Sequence, residues 1–141
     1  MKYQTRDFGE IEVAEEDVLE FVQPLFGFEE FKKYTIIKNE EFGEQIVWLQ
    51  CLEAPGVCFI LFDPSSLASV FAPQLSQELI AKLGDGDLVC WVISVVPADF
   101  HETTVNLKSP VIIHPKTRKG AQVILEQDYP VRYYLLKKSN G

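Results

Sequence analysis

His101 and His114 are the only two imidazoles in the sequence, so a Ser or Cys nucleophile paired with a histidine base would have to recruit one of them. His101 stands in "PADFHETT", a polar connection where an exposed histidine is ordinary. His114 follows "VII" and precedes Pro115, which reads as the end of a strand. Cys51, Cys58 and Cys90 form no CxxC pair, and each lies inside an apolar run. They read as reduced core thiols, and no histidine stands at metal-ligand spacing from them. Adjacent acids such as Glu15/Glu16 and Glu40/Glu41 point their side chains apart and stay solvated. GxSxG, Walker A, GxGxxG and HExxH are all absent. No catalytic residue, metal ligand or cofactor site is therefore assigned, and the chain is expected not to be an enzyme.

The elements that would position any functional group are mostly strands. Short runs rich in Val, Ile, Phe, Tyr and Trp, bounded by turn residues, predict strands at 2–8, 10–14, 17–21, 33–38, 45–52, 57–62, 88–96, 103–107, 111–114, 121–126 and 131–136. Gly9 in "DFGE" suits a tight hairpin, and "EAPG" turns 45–52 back onto 57–62. One helix is predicted near residues 76–83, where Leu75, Leu79, Ile80 and Leu83 fall at helical spacing, Ser76 can cap and Gly84 can stop it. Many strands and one helix predict an all-β, mostly antiparallel fold: one barrel-like meander occupying residues 1–141 as a single domain.

No apolar run approaches the roughly 20 residues of a membrane helix, and the charged "MKYQTRDFGE" lacks a signal-peptide core, so a cytoplasmic protein is expected. Charge is sharply divided. Residues 1–53 hold 13 acids against 5 Lys and Arg, which accounts for the whole net charge of −8, while residues 54–141 balance at 8 against 8. Such a surface repels a phosphate backbone and attracts a basic protein, or serves only to keep the chain soluble. Direct nucleic-acid binding is not expected. Glu15, Glu16 and Asp17 are the candidates for steering a basic partner.

Three stretches have a polar or aromatic character that the strands alone do not explain. "FVQPLFGFEEF" gathers Phe21, Phe26, Phe28 and Phe31 around Gly27, either as an aromatic loop folded onto the barrel or as a binding platform. "FDPSS" reads as an Asp-Pro turn. "TTVNLKSPVIIHP" sets a polar knuckle between apolar strands. Thr104, Val105, Asn106, Leu107, Ser109 and Pro110 are candidates for a partner contact through exposed backbone groups, or else a turn in which Asn106 and Ser109 bond their own backbone.

Taken together, "FGEIEV", the Phe21–Gly27–Phe28 spacing, "WLQCLEAPGVCFILFDP" and above all "TTVNLKSPVIIHPKTRKGAQVIL" resemble the FliW family of flagellar assembly factors along essentially the whole chain. One departure is visible: where that family has Gly-hydrophobic-Pro-Gly-Phe, this chain has "PLFGF", with Pro24 and Phe26 in place of glycine and proline. The resemblance implies a non-enzymatic partner switch that binds flagellin in the cytoplasm. Once released, it binds and antagonises the RNA-binding translational repressor CsrA, relieving repression of flagellin synthesis. The alternative from the residues alone is a small-ligand or enzyme barrel with a pocket near the aromatic loop 21–31 and His101 or His114 as its acid–base group.

Overall fold

The computed structural model describes residues 1–136, the side chain of Phe42 excepted. Strands β1 (Lys2–Thr5) and β2 (Gly9–Glu12) make an antiparallel hairpin, with Gly9 at the positive φ of +67° that its turn requires. Then β3 (Leu19–Gln23), β4 (Lys33–Lys38), β5 (Ile46–Cys51), β6 (Cys58–Phe62) and β7 (Val89–Val95) run as a continuous antiparallel meander. β8 (Thr104–Val105), β9 (Val111–Ile113), β10 (Lys119–Gln122) and β11 (Tyr133–Tyr134) complete the sheet.

Closure comes from β7, which is shared. Its first half pairs with β9 (Val89 with Ile113, Trp91 with Val111), and its second half pairs with β8 (Ser94 with Val105). β9 pairs antiparallel with β10, and β10 runs parallel to β3, so β3 to β7, β9 and β10 form a closed seven-stranded barrel. β8 and β11 extend from it as a side flap. Closure pairs the barrel strands on both sides over most of their length and so hides most of the edges that make an open sheet sticky.

Alternation along the strands sorts the core. Side chains two residues apart share a face, so Val47, Leu49 and Cys51 of β5 join Phe21, Tyr34, Leu61, Val111 and Ile113 inside the barrel. On the outer face, Phe62 and Val92 pack beneath Phe71, Val105, Leu107 and Leu125. A third cluster lies under α1 (Gln77–Leu83), whose Leu79 and Leu83 cover Ile112 and Ala121. Each of these two leucines contributes about 1.5–3 kcal/mol by leaving water. Ser76 Oγ accepts from Leu79 N at 3.1 Å and Gly84, at φ +110°, stops the helix, both as the sequence predicts.

Several predicted strands are shorter than expected. Residues 17–21 are the clearest correction: Glu15–Asp17 form a 3₁₀ turn and the strand starts only at Leu19. Three adjacent exposed acids have no apolar face to bury, and the backbone closes its bonds locally, Asp17 N to Ala14 O and Val18 N to Glu15 O. Likewise 121–126 is realised as Lys119–Gln122 and 131–136 as Tyr133–Tyr134. The aromatic loop closes one end of the barrel. Leu25 is buried and Phe28 meets Phe59 edge-on at 5.1 Å. Phe28 N bonds Leu25 O across Phe26 and Gly27, and the glycine at φ +86° supplies what a type II turn needs at its third position. The turn thus forms with Pro24 and Phe26 in place.

Candidate functional site

The other end of the barrel is open. There β3 begins at Leu19, level with Tyr34, while β4 runs on through Thr35–Lys38, paired with β5 on one side and with no strand on its β3 side among the described residues. The result is a groove of about 850 Å³ lined by Thr35–Lys38. Its floor is apolar, made by Leu19, Ile36, Val89, Trp91 and Ile113 from the ends of four strands, with Ile11 and Val13 of the hairpin as one wall. Glu12, Glu16 and Asp17 line it from the hairpin and the turn that follows, and Lys38 and Arg118 line it too. Thr35 Oγ1 donates to Asp17 O at 2.9 Å, which fixes the acidic turn against the outer face of β4.

The parity of the ladder tells which backbone groups line this groove. Leu52 N bonds Lys33 O and Phe21 N bonds Lys32 O, so odd residues of β4 bond toward β5 and even ones toward β3. Tyr34 finds its partner in Leu19. Ile36 and Lys38 face the groove with N–H and C=O groups that have no partner among the described residues. Side-chain periodicity alone could not have found this edge, because it depends on where β3 stops.

The predicted acidic residues lie at this groove: Glu15, Glu16 and Asp17 are exposed, and the last two line it. The knuckle is different. Thr104, Val105, Leu107, Ser109 and Pro110 are buried and Asn106 half-buried, which corrects the expectation of exposed backbone groups there. The reason is that its polar atoms are matched internally. Asn106 Oδ1 accepts from Ser109 N at 3.0 Å, Ser109 O accepts from Gln122 Nε2 at 3.1 Å, and Leu107 N donates to Pro130 O. Gln122 also accepts from Phe26 N at 2.9 Å, so one buried amide ties the knuckle to the aromatic loop. Polarity in the sequence marks a satisfied network here, not a wet surface.

The histidines do not meet the groove. The groove is lined by neither. His101 is exposed, its Nδ1 3.2 Å from Asp99 Oδ1 and its ring stacked on Phe100. His114 is 3 % exposed and organises a turn. Its Nδ1 lies 3.1 Å from both Lys116 N and Thr117 N, so that nitrogen is the acceptor, and Nε2 carries the hydrogen donated to Asp85 O at 2.7 Å. Thr117 Oγ1 in turn donates to Leu83 O at 2.7 Å, taking up a carbonyl at the end of α1. Thus "HPKT" clamps the helix to the β9–β10 turn, a role the sequence reading missed. The signal available was an Asx-like acceptor two and three residues before N–H groups in a turn.

Burial pushes the Cys58 thiol up to about 11 and Cys90 up to about 12. Cys51 is raised by the same cause. Glu53 moves the other way: Lys32 N and Lys33 N donate to its Oε1 at 2.6 and 2.9 Å and hold its carboxyl below the usual range. Among the described residues no three His, Cys, Asp or Glu are grouped to hold a metal, and no helix is long and apolar enough to cross a membrane.

A closed seven-stranded barrel with one plugged end, one open acidic end and a helix clamped outside defines a small β-barrel built to present a groove. Comparison with known proteins places it more narrowly. The family described as "FliW protein" matches residues 2–135. The flagellar assembly factor FliW of Caldicellulosiruptor saccharolyticus is 36% identical over 142 residues, covering 98% of this chain and 92% of its own length. That of Ruminiclostridium cellulolyticum is 37% identical over 140 residues, covering 96% and 95%. A crystal structure of the flagellar assembly factor FliW superposes with a TM-score of 0.88 at 30% identity over 99% of both chains. The chain belongs to the FliW family.

Proposed function

We propose that this chain is a flagellar assembly factor acting as a non-enzymatic partner switch in the cytoplasm, with residues 1–141 working as one unit. It holds flagellin, and when flagellin is withdrawn it takes up the translational repressor CsrA and relieves repression of flagellin synthesis. The observation that carries the reading is the family match along residues 2–135. Charge supports it: residues 7–31 contain nine acids and no Lys or Arg, a surface suited to a basic RNA-binding protein. Glu15, Glu16 and Asp17 steer that encounter from an exposed turn.

Titration calorimetry of the purified chain with flagellin and with CsrA tests the proposal. Each partner should bind alone, and flagellin should displace CsrA. Stopped-flow association with CsrA should slow as salt rises, and reversing Glu15, Glu16 and Asp17 to Lys should cut the on-rate several-fold at low salt. The reading fails if neither protein binds.

A further inference from the structure

The open barrel end combines three features that a solvent-filled cleft does not need together. Its floor is apolar, its hairpin side carries Glu12, Glu16 and Asp17, and one wall is a strand edge with unspent backbone groups at Ile36 and Lys38. An unpaired edge is a template for another strand. A small apolar ligand would use the floor but leave those four peptide groups unanswered, whereas an extended peptide answers them while alternate side chains enter the floor.

We propose that this groove docks an extended segment of a partner polypeptide, added as a strand against Ile36–Lys38, with alternating apolar residues facing Leu19, Trp91 and Ile113 and with Lys or Arg beside Glu12, Glu16 and Asp17. The choice of a basic occupant follows from charge. The 3₁₀ turn that forms the rim lies inside the base-free stretch 7–31, so Lys38 and Arg118, which also line the groove, are outnumbered by Glu12, Glu16 and Asp17. This inference rests on the reading of the chain as a binding regulator and names the surface that does the binding.

The groove reports its own occupancy, because Trp91 lies in its floor. The probe is a synthetic ten-residue peptide alternating Val and Thr with two lysines at each end, titrated into the full chain while tryptophan emission and heat are followed. A peptide of the same sequence with glutamates for lysines, and two versions N-methylated on one or the other set of alternate residues, complete the series. The lysine peptide should bind with a blue shift of the emission, the glutamate peptide roughly tenfold more weakly. Only one of the two N-methylated versions should bind, because only one set of N–H groups faces β4.

On the protein side, Lys38→Pro removes an N–H that bonds nothing within β4–β5. It should weaken the lysine peptide about fivefold, the value of one net hydrogen bond, with little change in melting temperature. Should that variant fail to fold, the N-methylated pair still decides the matter. Equal binding of both methylated peptides, equal binding of the lysine and glutamate peptides, a decanoate ion shifting Trp91 where no peptide does, or a groove filled by a second copy of this chain in sedimentation would each overturn the proposal. CsrA and flagellin are titrated in the same assay. If they bind the wild type and the Lys38→Pro variant equally well, the groove proposal falls while the partner-switch reading stands; if they do not bind the wild type at all, that reading falls and the peptides judge the groove alone.

Discussion

Replacing His114 should be costly, and the pattern of cost among replacements should expose how the ring works. The ring accepts from Lys116 N and Thr117 N and donates to Asp85 O, three bonds from one buried side chain. Each is worth about 0.5–1.5 kcal/mol net. Asp85, Lys116 and Thr117 are exposed residues, so water can reach the abandoned groups and the lower half of that range applies. Adding about 1 kcal/mol of lost packing, His114→Ala should cost about 2.5–4 kcal/mol. His114→Asn places an amide oxygen where Nδ1 stood, preserving acceptance from the two N–H groups as an Asx turn does, and should recover about 1 kcal/mol of this. His114→Gln reaches toward Asp85 instead and leaves the two turn N–H groups without their acceptor, so it should fall between Asn and Ala. Urea unfolding followed by tryptophan emission gives the differences as midpoint shifts at constant slope. An Ala variant within about 0.5 kcal/mol of wild type, or an Asn variant no better than Ala, would refute the clamp.

Other expectations follow from single contacts. A Cβ added at Gly120 would lie 2.8 Å from the buried Phe21 ring, so Gly120→Ala should cost about 1–3 kcal/mol in the same unfolding assay. Phe26→Pro restores the residue that the family pattern has in this turn, a gain of about 0.4–1 kcal/mol through the unfolded chain. It also deletes the N–H held by buried Gln122 Oε1, which costs about 1–3 kcal/mol, so the variant should melt lower. Asn106→Ala should lose about 1 kcal/mol of stability with partner affinity intact; a larger loss of affinity than of stability would return the knuckle to the binding surface. Glu53 has a depressed carboxyl pKa, so its contribution is present above the ordinary carboxylate range and lost as pH falls through the folded value. Glu53→Gln should therefore flatten the decline of melting temperature on acidification below about pH 4.5.

Where local rules decide, the sequence was readable. α1 starts at Ser76 and stops at Gly84 because cap, period and glycine agree, and β4 occupies residues 33–38 as predicted. The parallel pairing of β10 with β3 was not readable. It brings together residues about a hundred positions apart, and nothing in the spacing of "KGAQ" marks it. The 3₁₀ turn at 15–17 was missed because "DVLEF" alternates well enough to suggest an earlier strand, while the acids that precede Leu19 bury nothing. Of the candidate site residues, Glu15, Glu16 and Asp17 are exposed as a steering surface requires, and the knuckle takes the alternative in which Asn106 and Ser109 bond within their own turn.

The knuckle has a physical lesson for where a partner should be sought. A segment rich in Thr, Asn and Ser has hydrogen-bond capacity, but capacity available to a partner is only what the fold leaves unspent. In residues 104–110 much of it is spent: Asn106 N goes to Ile93 O, Asn106 Oδ1 and Ser109 O are taken by Ser109 N and Gln122, and the carbonyls of Lys108 and Pro110 receive Leu125 N and Val123 N. A partner would have to break those bonds before making its own, at about the same net value each. At Ile36 and Lys38 nothing need be broken beyond bonds to water, and the apolar floor beside them gains from losing that water. The backbone capacity that the fold leaves unspent therefore lies at the open barrel end, on a strand whose sequence, "TIIK", looks like ordinary core.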